Sequence, residues 1–590
     1  MEMLLRHTTM NELASILHRH RKRSSIDYLV DADTRMRARR LAKRNGQWET
    51  IERELDPGAV IPVIRRSDFR RFQRTGNRTV HQNRSAERLT AFRQAVLALW
   101  LGHPKAHVDH LQDLLWAICD EHTWIMAAHE GCAIDLGSAM LGAELAETLV
   151  LFRDELEEEV AARVRARIEE RIFRAYLDPQ QVDGWRTQEM NWNHVCNGSI
   201  LRTALLLIED ARLLARLAHR LVNDMTYALD GFTDDGGCEE GPGYWGFGFG
   251  HFVLAADALY RRTNGKIHLM TGEKVARICR FPLACHIGGN LRATFSDSAH
   301  GWIAPATALL INRYQELPEL YALCPRHDNG ALRLADLRTL ALYDGEKAPP
   351  APGRVDHVLP DLGFANLHGG AEATPLQLLV KVGHNDQPHN HNDIGSFQLV
   401  KNGRILLDDP GAPLYTRKTF SPQRYEILHC RSRGHSVPLI GGTEQAPGRQ
   451  YRGTLRVEGA NGDGARTAVV EMAKAYPKGT VRRLSRTFHI APGASEVRME
   501  DVIDFGGAPK GIEEAFVTYE TATVERGGKA VRVGPKRDGL TLTCEATGTW
   551  KVDRLVEESA EGRSSDQVVT RITFVPSRKR KEETLVFRMH

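Results

Sequence analysis

Paired cysteines are missing from this sequence. Its nine cysteines are odd in number, scattered from Cys119 to Cys544, and never spaced CxxC. That argues against a disulfide framework or a cysteine-based zinc finger and for reduced thiols. No run of 18 apolar residues occurs, so no transmembrane helix and no membrane partner are expected. An excess of one charge is lacking too: 79 Lys and Arg stand against 75 Asp and Glu, a net charge of +4. A global polycation for nucleic acid is therefore excluded. The opening MEMLLRHTTMNELASILHRHRKR carries its charges after a weakly apolar part, with no small-residue cleavage site behind it. It does not read as a secretory leader, so the expectation is a cytoplasmic chain, or a periplasmic one should the true start lie elsewhere.

What is present is a globular composition, 42% hydrophobic and 26% charged over 590 residues, enough for about two to four domains. The two halves differ in hydrophobic period. From about 84 to 343, stretches such as RLTAFRQAVLALWLG (88–102), IDLGSAMLGAELAETLVLF (134–152) and GSILRTALLLIEDARLLARLAHRLVNDMTYAL (198–229) repeat apolar residues every three or four positions, which predicts consecutive antiparallel helices. Proline and glycine in DGEKAPPAPGRVD (344–356) mark a linker. Beyond it the period is two, as in LQLLVKV (377–383), TVRRLSRTFHI (480–490) and EVRMEDVIDF (496–505). KNGR (401–404) sits between two such runs and predicts a tight hairpin. The reading is α followed by antiparallel β, in separate domains, after a basic and mostly helical segment 1–84. Its basic runs HRHRKR (18–23) and RMRARRLAKR (35–44) read as solvated helix faces, the second with Met36 and Leu41 turned inward.

Three stretches are dense in polar chemistry. NWNHVCNGS (191–199) crowds Asn191, Asn193, His194 and Asn197 around Trp192 ahead of a helical run; an N-cap cluster and a functional cluster are both open. DDGGCEEGPGYWGFGFGHF (234–252) joins seven glycines to Tyr244, Trp245, Phe247 and Phe249. Rings of this kind stack on sugar faces, and glycines let a ligand approach the backbone. QPHNHNDIGSF (387–397) places His389 and His391 two apart, on the same side of a strand. LLDDPG (406–411) adds Asp408 and Asp409, and SRGHS (432–436) adds His435. Two histidine nitrogens and a carboxylate suit a tetrahedral zinc. HxHxD is also part of the metallo-β-lactamase zinc signature, but Ile394 replaces the next histidine and strands do not alternate with helices here.

Taken in order, NWNHVCNGS, DGGCEEGPGYWGFG and HNHNDIGSFQLVKNGRILLDDPG resemble the heparinase II/III-like polysaccharide lyases over roughly residues 85 to 590. The resemblance implies an (α/α) toroid at 85–343, a linker at 344–356 and an antiparallel β-sandwich at 357–590. It implies β-elimination across the bond to C4 of a uronic acid in an acidic oligosaccharide or polysaccharide. Asn193 and His194 would neutralise the substrate carboxylate, with His194 also a candidate base. Tyr244 would be the general acid and, for one C5 epimer, the base. His389 would approach the substrate, while His391, Asp409 and His435 would hold a largely structural Zn2+. Asp393 would orient one of the histidines. Trp192, Glu240, Trp245, Tyr415 and Arg424 are expected at the substrate. A zinc-dependent glycan hydrolase and a non-catalytic acidic-glycan-binding protein are the alternatives, and homo-oligomerisation is left open.

Overall fold

The computed structural model describes residues 4–5, 7–327, 332–345, 353–560 and 567–590; most of the 344–356 linker expected from the sequence lies outside them. The chain packs as two units. Met1–Gly231, Trp245–Ala276 and Ile303–Pro349 form one, and Phe232–Tyr244, Arg277–Trp302 and Pro350–His590 the other.

The first unit is helical, as its three- and four-residue periods require. The predicted long run at 198–229 divides into helices Asn191–Leu207 and Ala211–Asp230, because Asp210 caps the second by accepting from the Leu213 amide. Helix Asn191–Leu207 is buried along nearly its whole length and packs against Leu136–Leu151, Ala211–Asp230 and Gly250–Arg262. It is a core helix, buried on every side although Asn193, His194, Asn197 and Arg202 are among its residues. The asparagines of NWNHVCNGS are not an N-cap: the cap is Met190, without a side-chain bond, and Asn191, Asn193, His194 and Asn197 lie inside the helix. In helix Ala32–Arg44, Leu41 points inward as expected, but Met36 is 56% exposed. The arginines there serve the fold: Arg35 Nε donates to the Trp100 carbonyl and an Arg37 guanidinium nitrogen to Ala341 O. Both carbonyls belong to the last turn of a helix, where cations are favoured.

The second unit is built on three antiparallel sheets. His357–Leu359, Phe364–Ala371, Thr374–Lys381, Phe397–Lys401 and Arg404–Leu407 form a five-stranded meander. Its last hairpin turns on Asn402 and Gly403, both at positive φ (53° and 75°), the two-residue turn that KNGR predicted. Eight further strands, starting at Thr454–Glu458 and including the C-terminal Glu582–Met589, make the largest sheet, and four make the third. One core joins them: Phe397 packs edge-on to Phe488, and Phe516 against Phe587 and Trp550. Alternating burial along Val497–Asp504 is the period of two made visible.

Two segments that the sequence reading placed in the helical domain, 232–244 and 277–302, pack with the sheets instead. The reason is local. Asn366 Nδ2 donates to the Ala284 and His286 carbonyls and Gln377 Nε2 to His286 O, so side chains of the meander hold the incoming chain.

Candidate active site

Asp297 is the hub of the site, and sequence reasoning missed it. Its carboxylate is fully buried and accepts four hydrogen bonds. Oδ2 takes His389 Nδ1 at 2.8 Å and the Tyr415 hydroxyl at 2.9 Å. Oδ1 takes His391 Nε2 at 3.0 Å and the Arg424 guanidinium at 2.8 Å. Burial by itself would raise its pKa, but the bonds from His389 and His391 and the charge of Arg424 hold it well below the usual carboxylate range. The carboxylate is therefore ionised and only accepts, so His389 Nδ1 and His391 Nε2 each carry a proton.

The segment 294–301 carries no motif, and its fold depends on glycines elsewhere. Gly241 (φ 89°) and Gly411 (φ 64°) close on it: a Cβ at Gly241 would meet Ser298 Oγ at 2.6 Å, and one at Gly411 would meet Ser298 O at 2.3 Å. Gly243 N donates to Ser298 Oγ and Ala412 N to Ser298 O. The glycines of EGPGY and DDPG are thus what lets Asp297 reach the histidines. Two non-glycine residues there sit in the left-handed region, Ser296 (φ 64°) and His389 (φ 61°). Such conformations cost ~1–2 kcal/mol each and gather at functional sites.

The expected strand placement of His389 and His391 does not hold. They lie in the loop between His384–Asn385 and Phe397–Lys401, and they share a direction because each bonds one oxygen of Asp297. His389 stacks on the Tyr244 ring, centroids 4.0 Å apart at 17°, and its Nε2 is 3.7 Å from Glu240. The Tyr244 hydroxyl is 2.6 Å from that of Tyr415. Since Tyr415 donates to Asp297, its oxygen accepts from Tyr244, giving a chain Tyr244–Tyr415–Asp297. Burial first, then the charge of Asp297, push the Tyr415 phenol far above its ordinary value; it stays protonated. Phe420, 58% exposed and edge-on to Tyr415 and His389, adds an accessible ring that the sequence reading did not single out.

Arg424, expected at the substrate, is otherwise engaged. It is buried and donates to Asp297, to Asn390 O and to Thr419 O. Its fork positions the hub. Trp245 is 1% exposed and packs beside Phe249, so it offers no face to a sugar. Trp192 is half-buried against His129. Asn193 and His194 belong to the helical unit. Asn193 Nδ2 donates to Arg186 O and Asp224 O, and His194 Nε2 lies 3.1 Å from Met225 O. Burial pushes His194 down to about 3, so it is neutral.

Groups that could hold a metal adjoin the hub. One ligand atom each from His391, Asp393 and His435 lie within 4.8 Å of one another, all buried, and Asp297, His391 and Cys430 form a second such group. Asp409, the carboxylate expected from the sequence, is not in either triplet but contacts His435 Nδ1 through Oδ2 at 2.9 Å. Two buried atoms here lack any hydrogen-bond partner: His391 Nδ1 and Asp393 Oδ2. His391 is held neutral by burial, and its proton is on Nε2, so Nδ1 presents a bare lone pair. An orphaned imidazole lone pair beside carboxylates and a second histidine fits a divalent cation, with Asp297 orienting the ring from behind. Asp393 is more than the orienting partner the sequence suggested, although its other oxygen pairs with buried Lys381.

A helical unit followed by antiparallel sheets, with a tyrosine–histidine–carboxylate cluster in the sheet unit, defines an (α/α) toroid plus β-sandwich protein. Residues 351–587 match the family described as Heparinase II/III-like, C-terminal. The fold is similar to that of heparinase III (TM-score 0.62, 12% identity, covering 95% of this chain and 92% of that one). It is also similar to the heparan sulfate lyase HepC from Pedobacter heparinus (0.57, 14%, 98% and 88%). A chondroitin AC lyase mutant from Streptomyces coelicolor shares it too (0.51, 12%, 98% and 82%). At these identities the likeness is one of fold. No curated protein sequence matches the chain.

Proposed function

We propose that the protein is a polysaccharide lyase that cleaves uronic-acid-containing glycans by β-elimination, leaving a 4,5-unsaturated end. The observation that carries this is the Tyr244 hydroxyl at the head of the Tyr244–Tyr415–Asp297 chain, with its ring on His389. The structural neighbours are named for heparan sulfate and chondroitin, which supports an acidic glycan here.

The C5 proton of a uronate lies α to a carboxylate, and its removal loads more negative charge on an anionic group, so that charge must be met by donors. Tyr244 protonates the departing O4, and for the epimer whose C5 proton lies on the same face it is also the base. When Tyr244 becomes a phenolate, Tyr415 can turn its hydroxyl from Asp297 to that oxygen, stabilising it without a change of its own charge. His389, fixed through Nδ1, presents Nε2 as the second group at the reacting bond, 3.7 Å from Glu240. Asn193 and His194 are buried in the helical unit with their hydrogens given to the Arg186, Asp224 and Met225 carbonyls, so no role at the substrate carboxylate is assigned to them, and for that epimer the base is Tyr244. Phe420 supplies a ring face for the sugar. His391, Asp409 and His435, with Asp393 beside them, would hold one Zn2+, whose chemistry is to crosslink the loops that carry His389 and Asp409.

The test is ultraviolet absorbance of the conjugated product, with the protein offered heparan-type, chondroitin-type and alginate substrates. Absorbance that rises with one of them, and is lost in Tyr244→Phe, is the expected result. New reducing ends without the double bond would make the protein a hydrolase. Binding with neither product would make it a glycan binder.

A further inference from the structure

The first 84 residues hold 19 Lys and Arg against 10 Asp and Glu, although the whole chain is only +4. The basic residues fall into two groups that look alike in sequence and differ in use. In Ala32–Arg44, Arg35 and Arg37 cap helix ends and Arg39 and Lys43 cover Trp48, while Arg40 and Arg44 face outward. In helix Arg66–Thr75, Arg70 pairs with Glu130 and Arg66 lies over the Phe69 ring, whereas Arg71 and Arg74 face outward. Nearby carboxylates are already paired: Asp68 with Arg84 at 3.3 Å, Glu130 with Arg70 at 3.4 Å, Glu121 with Arg88 and Asp120 with Arg163. Among the described residues, Arg65, Arg66, Arg71 and Arg74 are exposed and have no carboxylate partner.

A cavity of about 460 Å³ opens beside them, lined by Arg65, Arg66, His81, Arg88 and His122 under the loop that carries Ile61 to Ile64. Arg66 donates to His122 Nε2 at the cavity. Two polar atoms in the wall, His81 Nδ1 and Arg88 Nε, are buried without a hydrogen-bond partner. A volume of this size holds a small ligand group, and the guanidinium forks of Arg65 and Arg66 in its wall, with those of Arg71 and Arg74 about one helical turn apart further along the chain, suit repeated planar anions.

We propose that this arginine face and its cavity form a docking site for an acidic polysaccharide, seating carboxylate or sulfate groups of the chain that Tyr244 cleaves. The ligand's identity rests on the lyase reading; the site itself rests on the unpaired arginines and the cavity. The apolar face of the helix is turned into the protein, with Phe69 4% exposed, so the helix itself has none to enter a bilayer; the exposed Val60 and Val63 of the adjoining loop are why anionic vesicles are an arm of the test. Single-stranded nucleic acid is disfavoured because the cavity lining offers no exposed Phe, Tyr or Trp for bases.

The test uses the full chain carrying Tyr244→Phe, so that binding is read without turnover. Its migration is measured in gels containing alginate, chondroitin sulfate, heparan sulfate or neutral dextran, and its binding to duplex DNA and to anionic vesicles is measured in parallel. Retardation by at least one acidic glycan and not by dextran is expected. Arg71→Glu with Arg74→Glu, both fully on the surface, should weaken that binding at least about tenfold and flatten its salt dependence. Arg65→Ala with Arg66→Ala should do likewise, whereas Arg39→Ala should not. In the Tyr244 protein, the Arg71/Arg74 pair should raise KM for the polymer and leave kcat unchanged. Unaltered glycan binding in both arginine pairs overturns the docking site, as does tighter binding to DNA or vesicles than to every glycan. Elimination activity that survives with unaltered binding refutes the docking site alone; arginine-dependent binding without any elimination refutes the lyase reading alone.

Discussion

Removing the Asp297 carboxylate is the most incisive perturbation the structure offers. In Asp297→Ala, buried Arg424 loses its counter-charge and three further donors, His389, His391 and Tyr415, lose their acceptor. Breaking a buried pair by deleting one partner costs about 3–5 kcal/mol. At ~2–4 °C per kcal/mol, the melting transition of the sheet unit should fall by about 6–20 °C. Asp297→Asn is subtler. The amide oxygen can keep one pair of donors, such as His391 and Arg424, while the NH2 group faces His389 and Tyr415. Those two can adapt, His389 by moving its proton to Nε2 and Tyr415 by turning its hydroxyl away. The Asn variant should therefore fold, yet hold His389 in the wrong tautomer and Tyr415 pointing elsewhere. An analogous tautomer error in a serine protease costs about 10⁴ in kcat, and a loss of about 10²–10⁴ in elimination rate is expected here. Because the Asp297 pKa is depressed in the folded chain, its stabilisation is complete above the unfolded carboxylate value near ~3.9. It is lost only as pH falls through the native value. The stability gap between the parent and Asp297→Ala should thus be constant from neutral pH down to mild acid and close below that. Scanning calorimetry and initial rates check both halves. An Ala variant within about 1 kcal/mol of the parent, or an Asn variant within about twofold in rate, would refute the hub.

Three other outcomes follow from the same geometry. Tyr415→Phe removes the link between Tyr244 and Asp297 and should lower kcat about 10–100-fold with KM little changed, measured by product absorbance. His194 and His251, held down to about 3 and about 4 by burial, are neutral when folded but take up protons when unfolded below pH ~6.5. Stability of the helical unit should therefore drop by roughly 2 kcal/mol per histidine between pH 7 and pH 5, and His194→Gln should remove its share in urea titrations. Adding Zn2+ to chelator-treated protein should raise the melting temperature, and His435→Ala should abolish the rise; an equal shift in that variant would place the metal elsewhere.

Periodicity made most of the fold legible. The helical half, the Asn402–Gly403 hairpin and the burial alternation of Val497–Asp504 follow from patterns along the chain, which are a local property. The same locality brought Tyr244, His389, His391, Asp409 and His435 to notice, since each sits in a dense polar motif. It also misled. A spacing of two suggested a strand for His389 and His391, whereas a loop with a left-handed residue carries them. Asparagines ahead of a helical run suggested caps, whereas the helix begins before them.

What the sequence by itself determined, then, is the order of helix and sheet, the hairpin register and the residue types available for chemistry, because these depend on neighbours along the chain. Only the tertiary structure decided which of those residues meet. Asp297 comes from a segment without a motif and is brought to His389, His391, Tyr415 and Arg424 by glycines 56 positions before it and 114 after it, Gly241 and Gly411. It likewise decided that Arg424 is a brace, that Trp245 is core, and that Arg71 and Arg74 face outward without a carboxylate partner among the described residues while Arg35 and Arg37 hold helix ends. Hydrogen-bond partnership and burial are set by contacts between distant parts of the chain, and no local pattern encodes them.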